Sequence, residues 1–152
     1  MRALTLLMLL AAGLPAPQPS PVQLLFQYRV SSEDGSAGSD AFRLAVPSAR
    51  AASAVIWERD CSIGGAPNLA EPPAPSDQFW TFEATEEIAR GRRQIRLRYR
   101  GVVAGAAKPP PFSTHTIALD RPAPLALHEL SARRDCRYDR LTISVSVPAR
   151  SK

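Results

Sequence analysis

Hydrophobic and polar residues alternate one by one along most of this chain. In VQLLFQYRV (22–30), Val22, Leu24, Phe26, Tyr28 and Val30 fall on one face, with Gln23, Leu25, Gln27 and Arg29 on the other. AFRLAV (41–46) puts Phe42, Leu44 and Val46 together. FWTFEA (79–84) sets Trp80, Phe82 and Ala84 against Thr81 and Glu83. RQIRLRYRG (93–101) sets Ile95, Leu97 and Tyr99 against Arg96, Arg98 and Arg100. STHTIALD (113–120) and LTISVSV (141–147) alternate in the same way, with His115 on the apolar side of the first. A period of two marks strands buried on one face only. SAVIWE (53–58) and PLALHEL (124–130) are two shorter candidates.

The intervals between these runs hold chain breakers. SSEDGSAGSD (31–40), SIGGAPNLAEPPAPSD (62–77) and AGAAKPPPF (104–112) are rich in glycine, proline or small polar residues. Proline cannot donate to a strand ladder, so such stretches read as loops. ATEEIARG (84–91) reads as a hairpin loop ending at Gly91, with one helical turn as the alternative. Seven or eight short strands without helices predict an all-β fold, an antiparallel β-sandwich of immunoglobulin-like type. A small closed β-barrel is the alternative.

The first residues break this pattern. Arg2 precedes an apolar run from Ala3 to Ala12, and small residues and prolines follow. That order is the layout of a signal peptide, taken here as residues 1–18, with the exact cleavage site open. The run is about ten residues, half of what a membrane-spanning helix needs. Residues 19–152 are then expected as one domain, secreted or periplasmic, with no membrane span in the mature chain.

Export changes the meaning of the cysteines. The chain has two, Cys61 and Cys136. In an oxidising compartment pairing is the default. Free thiols, activated by Arg133, Arg134, Arg137 and Arg140, are the alternative. Because Asp135 and Asp139 alternate with those arginines, the segment reads as a mixed-charge turn.

Arginine outnumbers lysine 17 to 2, and the formal net charge is +5. This mild excess permits acidic partners without demanding them. Its most ordered part is the row Arg96, Arg98 and Arg100, spaced about 6.5–7 Å along one strand face. Such a row is a candidate site for an anion or an acidic partner. The competing reading is a solvated strand face countered by acids on its neighbours. In an exported protein, nucleic acid is not the expected partner.

Little else suggests chemistry. There is no Gly-x-Ser-x-Gly elbow. His115 and His128 are the only histidines, and each is expected on a strand. The acidic pairs Glu33-Asp34 and Glu86-Glu87 are expected in loops, the second close to Arg90, Arg92 and Arg93. No catalytic residue, metal site or cofactor is expected. The long loop at 62–77 is a second candidate for recognition.

FRLAVPSARAASAVIW (42–57) and FWTFEATEEIARGRRQIRLRYR (79–100) resemble the chagasin-type inhibitors of papain-like cysteine proteases. The first resembles that family's strand, loop and tryptophan, the second its long central hairpin. The resemblance spans about residues 42–120 and implies an immunoglobulin-like sandwich. The chain departs from the family at the recognition loops. No Asn-Pro-Thr-Thr-Gly lies between Pro47 and Trp57, and Arg100-Gly101-Val102 follows Tyr99 in place of Arg-Pro-Trp. No inhibitory residue is therefore carried over.

The expected function is that of an exported, non-enzymatic domain. It recognises a protein or an anionic envelope component through loops or the arginine face. The alternative is a protease inhibitor of chagasin-like type, which requires loops 48–53, 65–77 and 101–112 to converge at one end.

Overall fold

The computed structural model of the chain describes residues 19–32, 34, 35, 37–68, 74, 75, 77–130, 136 and 140–149, the side chains of 128–130 excepted. The expected signal peptide lies outside them. The described residues form nine strands and no helix: β1 (Val22–Ser31), β2 (Ala37–Val46), β3 (Ala52–Arg59), β4 (Ser62–Ala66), β5 (Gln78–Ala89), β6 (Arg92–Val103), β7 (Ser113–Ala118), β8 (Leu125–Leu130) and β9 (Arg140–Ser146). Nothing among the described residues is a helix long and apolar enough to cross a membrane.

Two antiparallel sheets result, in the orders β2-β1-β9-β8 and β4-β3-β5-β6-β7. The strands do not close into a barrel. They pack as a sandwich, and the alternating positions decide which face is inside. Leu24, Phe26, Leu97, Ile143 and Val145 are fully buried, while Gln23, Gln27, Arg96 and Arg98 are exposed. The Phe26 ring meets Phe82 of the opposite sheet edge to face, with centroids 5.0 Å apart. Phe42 stacks on Phe26, and Tyr99 stacks on Phe82. Full burial of one such side chain contributes about 1.5–3 kcal/mol.

Three elements depart from the sequence expectation. β4 is a ninth strand inside a stretch read as loop. Asp60 and Cys61 both have positive φ, 48° and 62°, and make the two-residue turn that pairs β3 with β4. Two of the five β4 residues, Gly64 and Gly65, are glycines because aromatic rings lie against their backbone. A Cβ on Gly65 would come within 2.5 Å of Phe42, and one on Gly64 within 2.5 Å of Trp57. β2 begins at Ala37, inside a stretch read as polar loop, because Ala37–Asp40 pair with β1. β5 runs through the expected loop to Ala89 and turns at Arg90 and Gly91, where φ is 51° and 75°. Glu86 and Glu87 therefore lie on a strand, where Arg93 meets Glu86, and Gln94 and Arg96 meet Glu87.

The disulfide forms as expected. Cys61 and Cys136 are bonded, with Cα atoms 5.2 Å apart and a sequence separation of 75. It ties the β3–β4 turn of one sheet to the β8–β9 connection of the other. Closing a loop of that length is worth about 4–4.5 kcal/mol in the chain-entropy description. Fully buried Glu58 lies beside it, its Oε1 3.5 Å from Cys136 Sγ. A bonded sulfur carries no proton, so this is a contact and not a hydrogen bond. At the same end, Tyr28 donates a hydrogen bond to Asp40. Burial, then the Asp40 charge, raise its phenol above the ordinary pKa, and a backbone hydrogen bond from Gly65 acts in the other direction.

Candidate interaction face on the five-stranded sheet

The outer face of the five-stranded sheet is built by register. Trp57 faces Phe79, which faces Val102; Val55 faces Thr81, which faces Arg100; Glu83 faces Arg98; Thr85 faces Arg96. These positions alternate with buried Ile56, Trp80, Phe82, Ile95 and Leu97, so all of them point away from the core. The strands thus lay parallel rows across the sheet. Gly64, Trp57, Phe79 and Val102 make one row. Ala66, Val55, Thr81 and Arg100 make the next. Ser53, Glu83, Arg98 and Thr114 follow, then Thr85, Arg96 and Thr116.

The structure places Arg96, Arg98 and Arg100 in the expected row on β6 but gives them different surroundings. Arg96 forms an ion pair with Glu87. Arg98 Nη1 lies 3.1 Å from Glu83 Oε2, directly across the ladder. At the hairpin tip Arg93 pairs with Glu86, with Nη2 2.5 Å from Oε1, and Gln94 donates to Glu87 at 2.7 Å. Among the described residues, no carboxylate pairs with Arg100. Its guanidinium lies 4.4 Å from the centroid of the Phe112 ring, as does that of Arg98. A guanidinium over an aromatic face is held by the ring quadrupole. Arg100 Nε is shielded from water and has no hydrogen-bond partner, and the same is true of Thr81 Oγ1 on the facing strand.

The apolar side chains around Arg100 do not belong to the interior. Val55, Trp57, Phe79, Val102 and Phe112 are each partly exposed, and none belongs to the buried core cluster or is among the hydrophobic residues packed against it. Trp57 is laid flat on its own sheet, its ring over Gly64 of β4. Beyond it Asp77, almost fully buried, accepts from Arg59 Nε at 2.9 Å and from the Ala74 amide at 2.8 Å, which fixes the start of β5. The result is a rigid patch of Trp, Phe and Val with one arginine in it. Interface centres are enriched in aromatic residues and arginine.

Trp57, Phe79, Thr81, Val102 and Phe112 are not among the residues expected from the sequence. Their signal was present. Phe79 and Trp57 occupy the parity that should be polar in their strands, and a large aromatic there asks for a partner.

The other candidates fall apart spatially. His115 faces inward and stacks on Tyr99 at 5.6 Å. His128 lies on β8 with its side chain outside the described residues. The clefts lined by Val22, Tyr28 and Arg92 hold no histidine. Among the described residues, no group of three or more His, Cys, Asp or Glu is placed to hold a metal ion. The loops needed for an inhibitory wedge are divided. The β2–β3 connection enters the sheet at Ala52, opposite Ala84. The chain enters β5 at Gln78 and leaves β6 at Val103, which face each other at the other end. Six residues of strand, about 20 Å, separate the two levels. The chain matches no protein-family model, no curated protein and no solved structure.

Proposed function

We propose that this protein is an exported, non-enzymatic interaction domain that docks a protein partner on the outer face of its five-stranded sheet. Export rests on the layout of residues 1–18 and agrees with the disulfide. Docking rests on one observation: Trp57, Phe79 and Val102 form a continuous row outside the core, beside an arginine that no carboxylate of the described residues neutralises. An anionic glycan or lipid surface is the weaker partner for this face, because Glu83 and Glu87 already meet the charges of Arg98 and Arg96.

Site-specific photo-crosslinking in the native cell envelope tests the reading. A crosslinker at position 79 or 102 is expected to trap one discrete protein. At position 116, on the charge-balanced part of the same face, it is expected to trap none. Equal trapping at all three positions, or none at 79 and 102, overturns it.

A further inference from the structure

We infer that the tip of the β5–β6 hairpin docks on an anionic phospholipid surface, with Ile88 entering the apolar layer and Arg90 and Arg92 meeting the phosphates. The hairpin outruns its neighbours. β3 pairs with β5 only as far as Ala84, opposite Ala52, and β7 pairs with β6 only as far as Gln94, opposite Ala118. Ile88 stands four residues past Ala84, about 13 Å further along the strand. It has the parity of buried Trp80, Phe82 and Ala84, but the core has ended by then and Ile88 is 75% exposed. Positive φ at Arg90 and Gly91 fixes the turn that follows.

Cations collect at this tip. Residues 88–93 hold three arginines and no acid. Arg90, Arg92 and Arg93 line one shallow, open cleft of about 630 Å³ with Gln94 and Ala118. All three arginines are exposed, so a ligand reaches them directly. Arg93 is held by Glu86, whereas no carboxylate of the described residues pairs with Arg90 or Arg92. A smaller cleft beside Gly91 and Leu119 carries Asp120, the one acid lining either cleft. An exposed apolar side chain on a projecting turn, collared by arginines, suits a membrane interface. The apolar group lies below the phosphate layer while the guanidiniums stay within it. A folded protein would have to offer a socket for Ile88 ringed with acids, and an anionic bilayer offers both anywhere on its surface. Phe79, in the row that docks a protein, lies nine residues back along β5, about 30 Å away, so the two contacts do not compete.

Vesicle sedimentation tests this with residues 19–152, which hold all nine strands and leave out the apolar run at 3–12. The probes are vesicles of phosphatidylcholine alone and of phosphatidylcholine mixed with phosphatidylglycerol. The protein is expected to bind the mixed vesicles and not the neutral ones, and to lose affinity as salt rises. One arginine at such a surface is worth about fivefold, so Arg90→Gln with Arg92→Gln should weaken binding about thirtyfold. Ile88→Ser should weaken it about tenfold. Arg100→Gln with Lys108→Gln removes the same net charge far from the tip and should stay within about twofold of the parent. Equal losses from the two double variants would reduce the effect to net charge and overturn the assignment to the tip. If soluble glycerol phosphate displaces the protein and Ile88→Ser binds as tightly as the parent, the tip takes a free phosphate and the lipid assignment fails. In the native cell envelope, a photo-crosslinker at position 88 is expected to label lipid. A single discrete protein trapped there would overturn the proposal.

Discussion

The outer face of the five-stranded sheet has two halves that differ in one respect. In the half nearer the β5–β6 turn, each arginine of the row meets a glutamate: Arg96 meets Glu87 and Arg98 meets Glu83. In the other half Arg100 meets Thr81, and Val55, Trp57, Phe79 and Val102 surround the pair. The same strands build both halves with the same alternation. The residue two steps along β5 makes the difference, glutamate at 83 and threonine at 81. Alternation therefore decides which side chains face outward. Cross-strand register decides whether an outward charge is met within the fold or left for something else.

The largest expected effect breaks the apolar half at its base. Gly64→Val places side-chain atoms where the Trp57 ring lies, since even a Cβ there comes within 2.5 Å of it. Overpacking of this kind costs about 1–3 kcal/mol. Thermal unfolding should show that loss, and photo-crosslinking at position 79 should fall with it. The matching change in the balanced half, Thr116→Ala, should stay within about 0.5 kcal/mol. Equal losses from the two substitutions would mean that the halves do not differ in packing.

Next in size is a pair of substitutions expected to do no harm. Thr81→Val removes a hydroxyl that lacks a partner and keeps the side-chain shape. An unmade buried hydrogen bond costs about 1–3 kcal/mol, so chemical denaturation should show Thr81→Val stabilised by about 1 kcal/mol. Arg100→Met removes a second unpartnered donor but also its contact with Phe112, worth about 0.5–1 kcal/mol, and should come out near neutral. A protein that gains stability by losing these donors is holding them for a purpose other than folding. Destabilisation by more than about 1 kcal/mol in both variants would mean that the donors have partners within the fold.

The fold was more legible in the sequence than the face. Long alternating runs such as 22–30 and 93–101 identify strands because a sandwich buries one side of each. The bridge was legible because a chain with two cysteines has one pairing to make. β4 was not, because Gly64 and Gly65 carry no side chain and so no period. What makes them a strand is the rings of Trp57, Phe42 and Tyr28 lying against them, and this is a tertiary fact. The extension of β5 was hidden for a related reason. Glu86 and Glu87 look like loop residues until β6 brings Arg93, Gln94 and Arg96 beside them. The arginine row was legible as a row. Which of its members keeps its charge available was not, because that depends on which strand lies opposite and in what register.

The smallest expected effect on stability is also the most direct conversion of one half into the other. Glu83→Gln with Glu87→Gln removes the carboxylates that face Arg98 and Arg96 without changing side-chain size. These are exposed or partly exposed pairs, and such pairs contribute about 0–1 kcal/mol each. The unfolding midpoint should therefore barely move. Heparin affinity reads the charge instead. The double variant should elute at higher salt than the parent, and Arg96→Ser with Arg98→Ser added to it should reverse the gain. Because salt screens such contacts over about 10 Å at 0.1 M, the difference should be clearest at low ionic strength. An unchanged elution would mean that Glu83 and Glu87 do not neutralise the row in solution. The balanced half would then be as available to an acidic partner as Arg100 is, and the distinction between the two halves would rest on their apolar side chains alone.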